Sequence, residues 1–132
     1  MLNLLFNTRD EQTKIDLSKV VYFEAEGNYT RIVFVNSYKA TISVSLSKIE
    51  KLLDTQLTGN AGQFIRIGRQ YIVNRAFIFQ INLLKQKLLL SDMENMPVFS
   101  LSIAKEALKK LKELQIKKED GNNNRTGGDS AL

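Results

Sequence analysis

The residues best suited to chemistry in this 132-residue chain are the two guanidiniums of Phe64-Ile65-Arg66-Ile67-Gly68-Arg69-Gln70-Tyr71-Ile72-Val73-Asn74. A short apolar strand carries Arg66 into a break at Gly68, then resumes with Tyr71-Ile72-Val73 and stops at Asn74. The break puts Arg69 at a turn, and an arginine at a turn on a rigid scaffold is a planar donor fork presented to a partner. Such a fork can donate two hydrogen bonds to O6 and N7 of guanine. Gly68 beside it would let backbone approach a phosphate closely, and Gln70 would pair with adenine or hold a phosphate oxygen. Arg66 shares parity with the core residue Phe64 and is expected to be tied to a carboxylate at the sheet edge. Asn74 is expected to end the strand through side-chain bonds to backbone.

Other chemistries are poorly supplied. The chain has no cysteine and no histidine, which removes thiolate and imidazole nucleophiles, bases and metal ligands. The carboxylates are scattered. We therefore expect no catalytic residue, no metal site, no cofactor and no enzyme activity. The formal net charge is +5. Residues 117–132 hold three basic and three acidic side chains, so the body keeps 16 of the 19 basic and 11 of the 14 acidic residues and carries the whole excess. A basic folded body with a neutral tail points to a polyanion such as nucleic acid. The N-terminus lacks the pattern of a signal peptide and no run is long enough to cross a bilayer, so a cytoplasmic chain without membrane insertion is expected.

The elements that must position these groups are mostly strands. Leu2–Phe6 and Lys14–Leu17 read as two short strands around a charged turn. Val20–Glu26 and Tyr29–Val35 flank Gly27-Asn28, a tight hairpin link in which positive φ angles suit the strand twist. Asn36-Ser37 folds Tyr38–Ser43 back as a third antiparallel strand. Leu46, Ile49, Leu52 and Leu53 then recur at helical spacing, with Ser47 and Glu50 spaced as a capping box. A loop from Asp54 to Gln63 leads to the arginine-bearing stretch. Phe77–Leu83 and Lys87–Ser91 form another hairpin, and Pro97–Leu101 an edge segment. Ser102 is placed to cap a last helix whose buried stripe is Ile103, Ala107, Leu111 and Leu114, with Ala104 and Leu108 beside it. From Lys117 the composition turns polar, giving a domain over 1–116 and a disordered tail over 117–132.

Two stretches together carry a family resemblance. Val20-Val21-Tyr22-Phe23-Glu24-Ala25-Glu26-Gly27-Asn28-Tyr29-Thr30 is similar to the first signature of the LytTR DNA-binding domain. Phe64–Asn74 is similar to its second. The resemblance spans about residues 2–115. It implies a mostly β fold of small antiparallel sheets, built from hairpins and a meander, with two short amphipathic helices. It also implies a bacterial transcription regulator that reads double-stranded DNA with loops at sheet edges, in successive major grooves of direct-repeat promoter sites. Carried over residue by residue, the first contact loop is Asn28, Tyr29, Thr30 and Arg31. The second is Gly68, Arg69 and Gln70, and the third surrounds Ser102 and Lys105. Relatives usually have histidine before the turn arginine and serine after it, where this chain has Gly68 and Gln70. They often carry arginine after the closing serine, where this chain has Ile103 and Ala104. The small footprint implies two copies on neighbouring half-sites, and a regulatory protein partner stays open as the source of the signal. A protein-interaction module and a small RNA binder are the rival readings. The DNA reading requires Arg69, Thr30 and Lys105 on one exposed surface.

Overall fold

The computed structural model describes residues 3–56 and 62–122, without the side chains of residues 56 and 117–122. Strands β1 (Asn3–Asn7) and β2 (Gln12–Asp16) form a hairpin, after which Asp16 accepts from the Ser18 N–H to open a 3-10 turn at Leu17–Lys19. Next come β3 (Val20–Glu26), β4 (Tyr29–Phe34) and β5 (Lys39–Ile42), the expected antiparallel meander. Helix α1 (Leu46–Gln56) precedes a second hairpin, β6 (Phe64–Ile67) and β7 (Tyr71–Asn74). The chain closes with β8 (Ile78–Asn82), β9 (Lys87–Leu90), β10 (Phe99–Ser102) and helix α2 (Lys105–Asn122).

The meander turns out to be part of a larger sheet. Strand β7 pairs antiparallel with the free side of β3, matching Tyr22 to Val73, Phe23 to Ile72 and Glu24 to Tyr71. The result is a five-stranded sheet in the order β5-β4-β3-β7-β6, beside a two-stranded β1-β2 sheet and a three-stranded β10-β9-β8 sheet. Mostly β, with three small antiparallel sheets and two helices, is the fold class expected from the sequence.

The large sheet is buried on both faces, and strand alternation decides which residue faces which core. Val20, Phe23, Ile32 and Ile72 point into one cluster, completed by Leu4, Phe6 and Ile15 of the first hairpin and Leu46, Ile49 and Leu53 of α1. Val33 and Val73 point the other way, toward Leu88, Leu90 and Leu101 of the three-stranded sheet and Leu108 and Leu111 of α2. A register irregularity between Val20 and Tyr22 lets the consecutive residues Val21 and Tyr22 both enter this second cluster. Each large side chain fully buried here is worth about 1.5–3 kcal/mol. The central strands are therefore the most firmly held part of the molecule.

Both helix starts differ from expectation. Ser45, not Ser47, caps α1, its Oγ accepting from the Lys48 N–H at 3.3 Å. That leaves Glu50 free of any capping role. Ser102 is the last residue of β10 and its hydroxyl accepts from the Lys87 ammonium at 2.8 Å, so it does not cap α2. The first helical carbonyl there is that of Ala104, which accepts from the Leu108 N–H. The buried stripe of α2 is Leu108 and Leu111, with Ile103 just before it and Ala107 half-buried, while Ala104 and Leu114 lie exposed. Leu114 lines a groove with Ile65 and Ile67 of β6 but stays open to solvent. The α2 backbone continues to Asn122, past the boundary expected at residue 116, and the loop residues 57–61 and the tail residues 123–132 lie outside the described residues.

Candidate nucleic-acid interface

Strand pairing brings the two glycine turns to the same end of the large sheet. Turn Gly27-Asn28 joins β3 to β4, with Glu26 opposite Tyr29. Turn Gly68-Arg69-Gln70 joins β6 to β7, with Ile67 opposite Tyr71. Because β3 and β7 are neighbours, the second turn lies against the end of β3. The Ala25 N–H donates to the Gln70 carbonyl at 2.8 Å, and the Gln70 side-chain amide donates back to the Ala25 carbonyl at 3.0 Å.

Both turns depend on glycine at one position. Gly27 and Gly68 each have φ of +62°, and a Cβ built on either meets nothing within 4 Å. The requirement is thus conformational and not steric. Asn28 does not share the positive φ expected of it, so the turn has the single left-handed residue, in first place, of a II′ hairpin link.

The start of α2 lies on the other flank of the second turn. Gly68 and Arg66 line one groove together with Ala104, Glu106 and Ala107. The Ile103 N–H donates to the Gln86 carbonyl, which brings in the tight turn between β8 and β9 with Lys85 and Lys87. Sequence patterning did not single out these two lysines. The signal lies in the antiparallel pairing of Ser102 with Lys87, which only the folded sheet reveals. Lys105 is the first residue of α2 and is exposed. A cation there opposes the positive end of the helix dipole, an arrangement that costs about 0.3–1 kcal/mol and that a neighbouring anion would offset.

The expected contact residues separate into exposed and committed groups. Asn28, Tyr29, Gly68, Arg69, Gln70, Ser102 and Lys105 are exposed, Tyr29 at 51%. The Arg69 side chain takes part in none of the ion pairs or hydrogen bonds among the described residues, although the Arg69 carbonyl accepts from Arg66. Thr30 is different. It is 0% exposed, and its hydroxyl donates to the Val44 carbonyl at 2.7 Å. Alternation puts it on the same face as Ile32, toward the α1 core, so it cannot reach a partner: the condition that Arg69, Thr30 and Lys105 share one exposed surface fails for Thr30, and of the three only Arg69 and Lys105 are exposed. Arg31 points to the opposite face and is half-buried between Glu24, at 3.3 Å, and Glu26. Its charge is shared with these two carboxylates across the β3–β4 pair, so it is less available to a phosphate than an unpaired arginine.

The remaining polar groups support the site. Asn74 is 1% exposed; its side chain donates to the Val20 carbonyl at 2.9 Å and accepts from the Gln63 amide and the Ala76 N–H. Arg66 forms the expected carboxylate pair, to Glu50 of α1 at 2.8 Å. Tyr71 stands edge-on to Tyr22 with ring centres 5.8 Å apart. Burial, and secondarily the Glu24 carboxylate, push both phenols above their ordinary range. Among the described residues no group of three or more metal-ligating side chains is placed to hold an ion, and no helix is long and apolar enough to cross a membrane.

Residues 10–115 match the family model of the LytTr DNA-binding domain. The chain belongs to the LytTR family. Among solved structures it is similar to one from Bacillus cereus, described as the LytTr DNA-binding domain of a methyl-accepting/DNA response regulator. The two are 26% identical, with a TM-score of 0.58 over 86% of this chain and 95% of that one. No curated protein matches the chain. In this LytTR domain the two stretches that carry the resemblance fall on β3 with its turn, and on the β6–β7 hairpin, which are the elements that meet at one end of the sheet.

Proposed function

We propose that this LytTR domain binds double-stranded DNA in a sequence-specific manner and regulates transcription in the cytoplasm, reading bases with the end of its large sheet. The observation that carries this is Arg69. It is exposed and unpaired among the described residues, on a turn clamped to β3 and flanked by the Gly27-Asn28 turn on one side and the α2 start on the other. Its guanidinium is assigned to a guanine edge in the major groove. Asn28, Tyr29 and Gln70 make the neighbouring backbone and base contacts. Lys105, joined by Lys85, Lys87 and the Ser102 hydroxyl, takes phosphates beyond. With the Arg69 turn in the middle, the outer two segments address successive grooves, and two copies side by side suit a direct repeat.

Binding should weaken steeply with salt, at a logarithmic slope of about −4 to −5 for four to six neutralised phosphates. The test is fluorescence anisotropy on duplexes selected from random sequence. Arg69→Ala should lower affinity for the selected duplex about 5- to 150-fold, the equivalent of one bidentate base contact at 1–3 kcal/mol, and flatten preference at one base pair. Unchanged binding by that variant would overturn the assignment. Preference for single-stranded RNA over duplex DNA would replace it.

A further inference from the structure

We infer that Arg66 is the positioning residue of the DNA-reading turn: its guanidinium ties the Gly68 and Arg69 carbonyls to Glu50 of α1, and so fixes the direction in which Arg69 points. The inference rests on the DNA-binding reading above and assigns Arg66 no contact with DNA. Arg66 sits on β6, two residues before the left-handed Gly68. Its Nε donates to the Gly68 carbonyl at 3.1 Å and its Nη2 to the Arg69 carbonyl at 3.1 Å. Its Nη1 donates to Glu50 Oε1 at 2.8 Å. All three nitrogens of one planar group are engaged, two on the turn and one on a helix.

The geometry matters because a three-residue turn at the end of a sheet has little else to hold its carbonyls. Gln70 fastens the β7 side of the turn to Ala25, but the Gly68 and Arg69 carbonyls take no part in that clamp. Arg66 fills the gap. Its side chain is only 22% exposed, so its bonds are less diluted by water than those of a free surface arginine. Glu50 in turn belongs to a helix whose Leu46, Ile49 and Leu53 are locked into the first core. The turn is thereby referenced to a rigid layer and not only to its own strands. Lysine cannot reproduce this, since an ammonium is a point donor on a flexible stem and cannot span three acceptors in one plane.

Base readout demands placement within about 0.5 Å and 10–20°, so loss of the brace acts on discrimination before it acts on affinity. The test is Arg66→Lys, which keeps the charge, measured with selected and random duplexes. The ratio of the two affinities should fall about tenfold, within the range of one bidentate contact. Random-duplex affinity and its salt slope should stay as in the parent, because no phosphate contact is lost. In the free protein, the amide nitrogen resonances of Arg69 and Gln70 should shift, since each follows a carbonyl that has lost its donor. Should Arg66→Lys fail to fold, Glu50→Gln, which keeps an acceptor but no charge, should show the same changes to a smaller degree. An unchanged ratio with unshifted resonances would overturn the inference. Equal losses on both duplexes would also do so, by making Arg66 a phosphate ligand. Arg69→Ala tells the two readings apart: if it leaves binding intact, the DNA assignment of the turn fails, while the Arg66 resonance shifts still report on the brace.

Discussion

Replacing Thr30 by valine separates a structural role from a DNA-contacting one. The two side chains are nearly the same shape, so the exchange removes one hydroxyl and little else. In the structure that hydroxyl donates to the Val44 carbonyl at 2.7 Å from a position with 0% exposure. The variant leaves that carbonyl without its donor; a fully buried orphan acceptor costs about 1–3 kcal/mol, and the half-buried Val44 sets the cost toward the lower end. The added methyl group gains back a fraction of this by its own burial, about 0.8 kcal/mol if complete. The net expectation is a loss of about 0.5–2 kcal/mol, or several degrees in thermal midpoint for a domain of this size. DNA affinity, measured by anisotropy well below the melting temperature, should stay within twofold of the parent, as expected for a change that costs no contact at the interface. A tenfold loss of affinity with an unchanged midpoint would refute the reasoning and return Thr30 to the contact surface.

Asn74→Ala should cost about 2–4 kcal/mol in a urea titration, because it strips donors and acceptors from the Val20 carbonyl, the Ala76 N–H and the Gln63 amide together; a loss below half of that would mean that water takes over these bonds. The raised phenols of Tyr22 and Tyr71 predict alkaline unfolding. Protonation is favoured in the folded state, so their contribution is fully present below their ordinary value of 10.0 and is lost as pH rises through the higher folded values. Thermal midpoints across alkaline pH, with Tyr22→Phe as the control that flattens the decline, check this.

How much of this was legible in the sequence depends on the range of the interaction. The hairpins were readable because Gly27-Asn28 and Asn36-Ser37 are local devices acting on local strands. The five-stranded sheet was not, since the pairing of Tyr22 with Val73 joins segments about fifty residues apart and leaves no periodic trace between them. Strand alternation sends the neighbours Thr30 and Arg31 to opposite faces but does not say which face meets a core. That was decided by α1 and the first hairpin covering the Thr30 side. The serine caps failed for a related reason. Ser47 and Glu50 have the right spacing, yet Glu50 is drawn to Arg66 across sixteen residues of sequence, and Ser102 is drawn to Lys87 across the sheet. The arginine turn itself was plain, and so was the tie of Arg66 to a carboxylate. Lys85 and Lys87 were not, because their neighbourhood exists only once β9 and β10 are joined.

The open space around Gly27 and Gly68 has a consequence for how such a domain diversifies. The exposed tip side chains of Asn28 and Arg69 lie outside both packed clusters, whereas Gln70 is tied back to Ala25 and the slab behind them is packed on both sides. Positions such as Asn28 and Arg69 can therefore change without disturbing either core, while Gly27, Gly68 and Gln70 and the layers behind them hold the turns in place. On the DNA-binding reading proposed above, a change of target at Asn28 or Arg69 would require no repacking of either core.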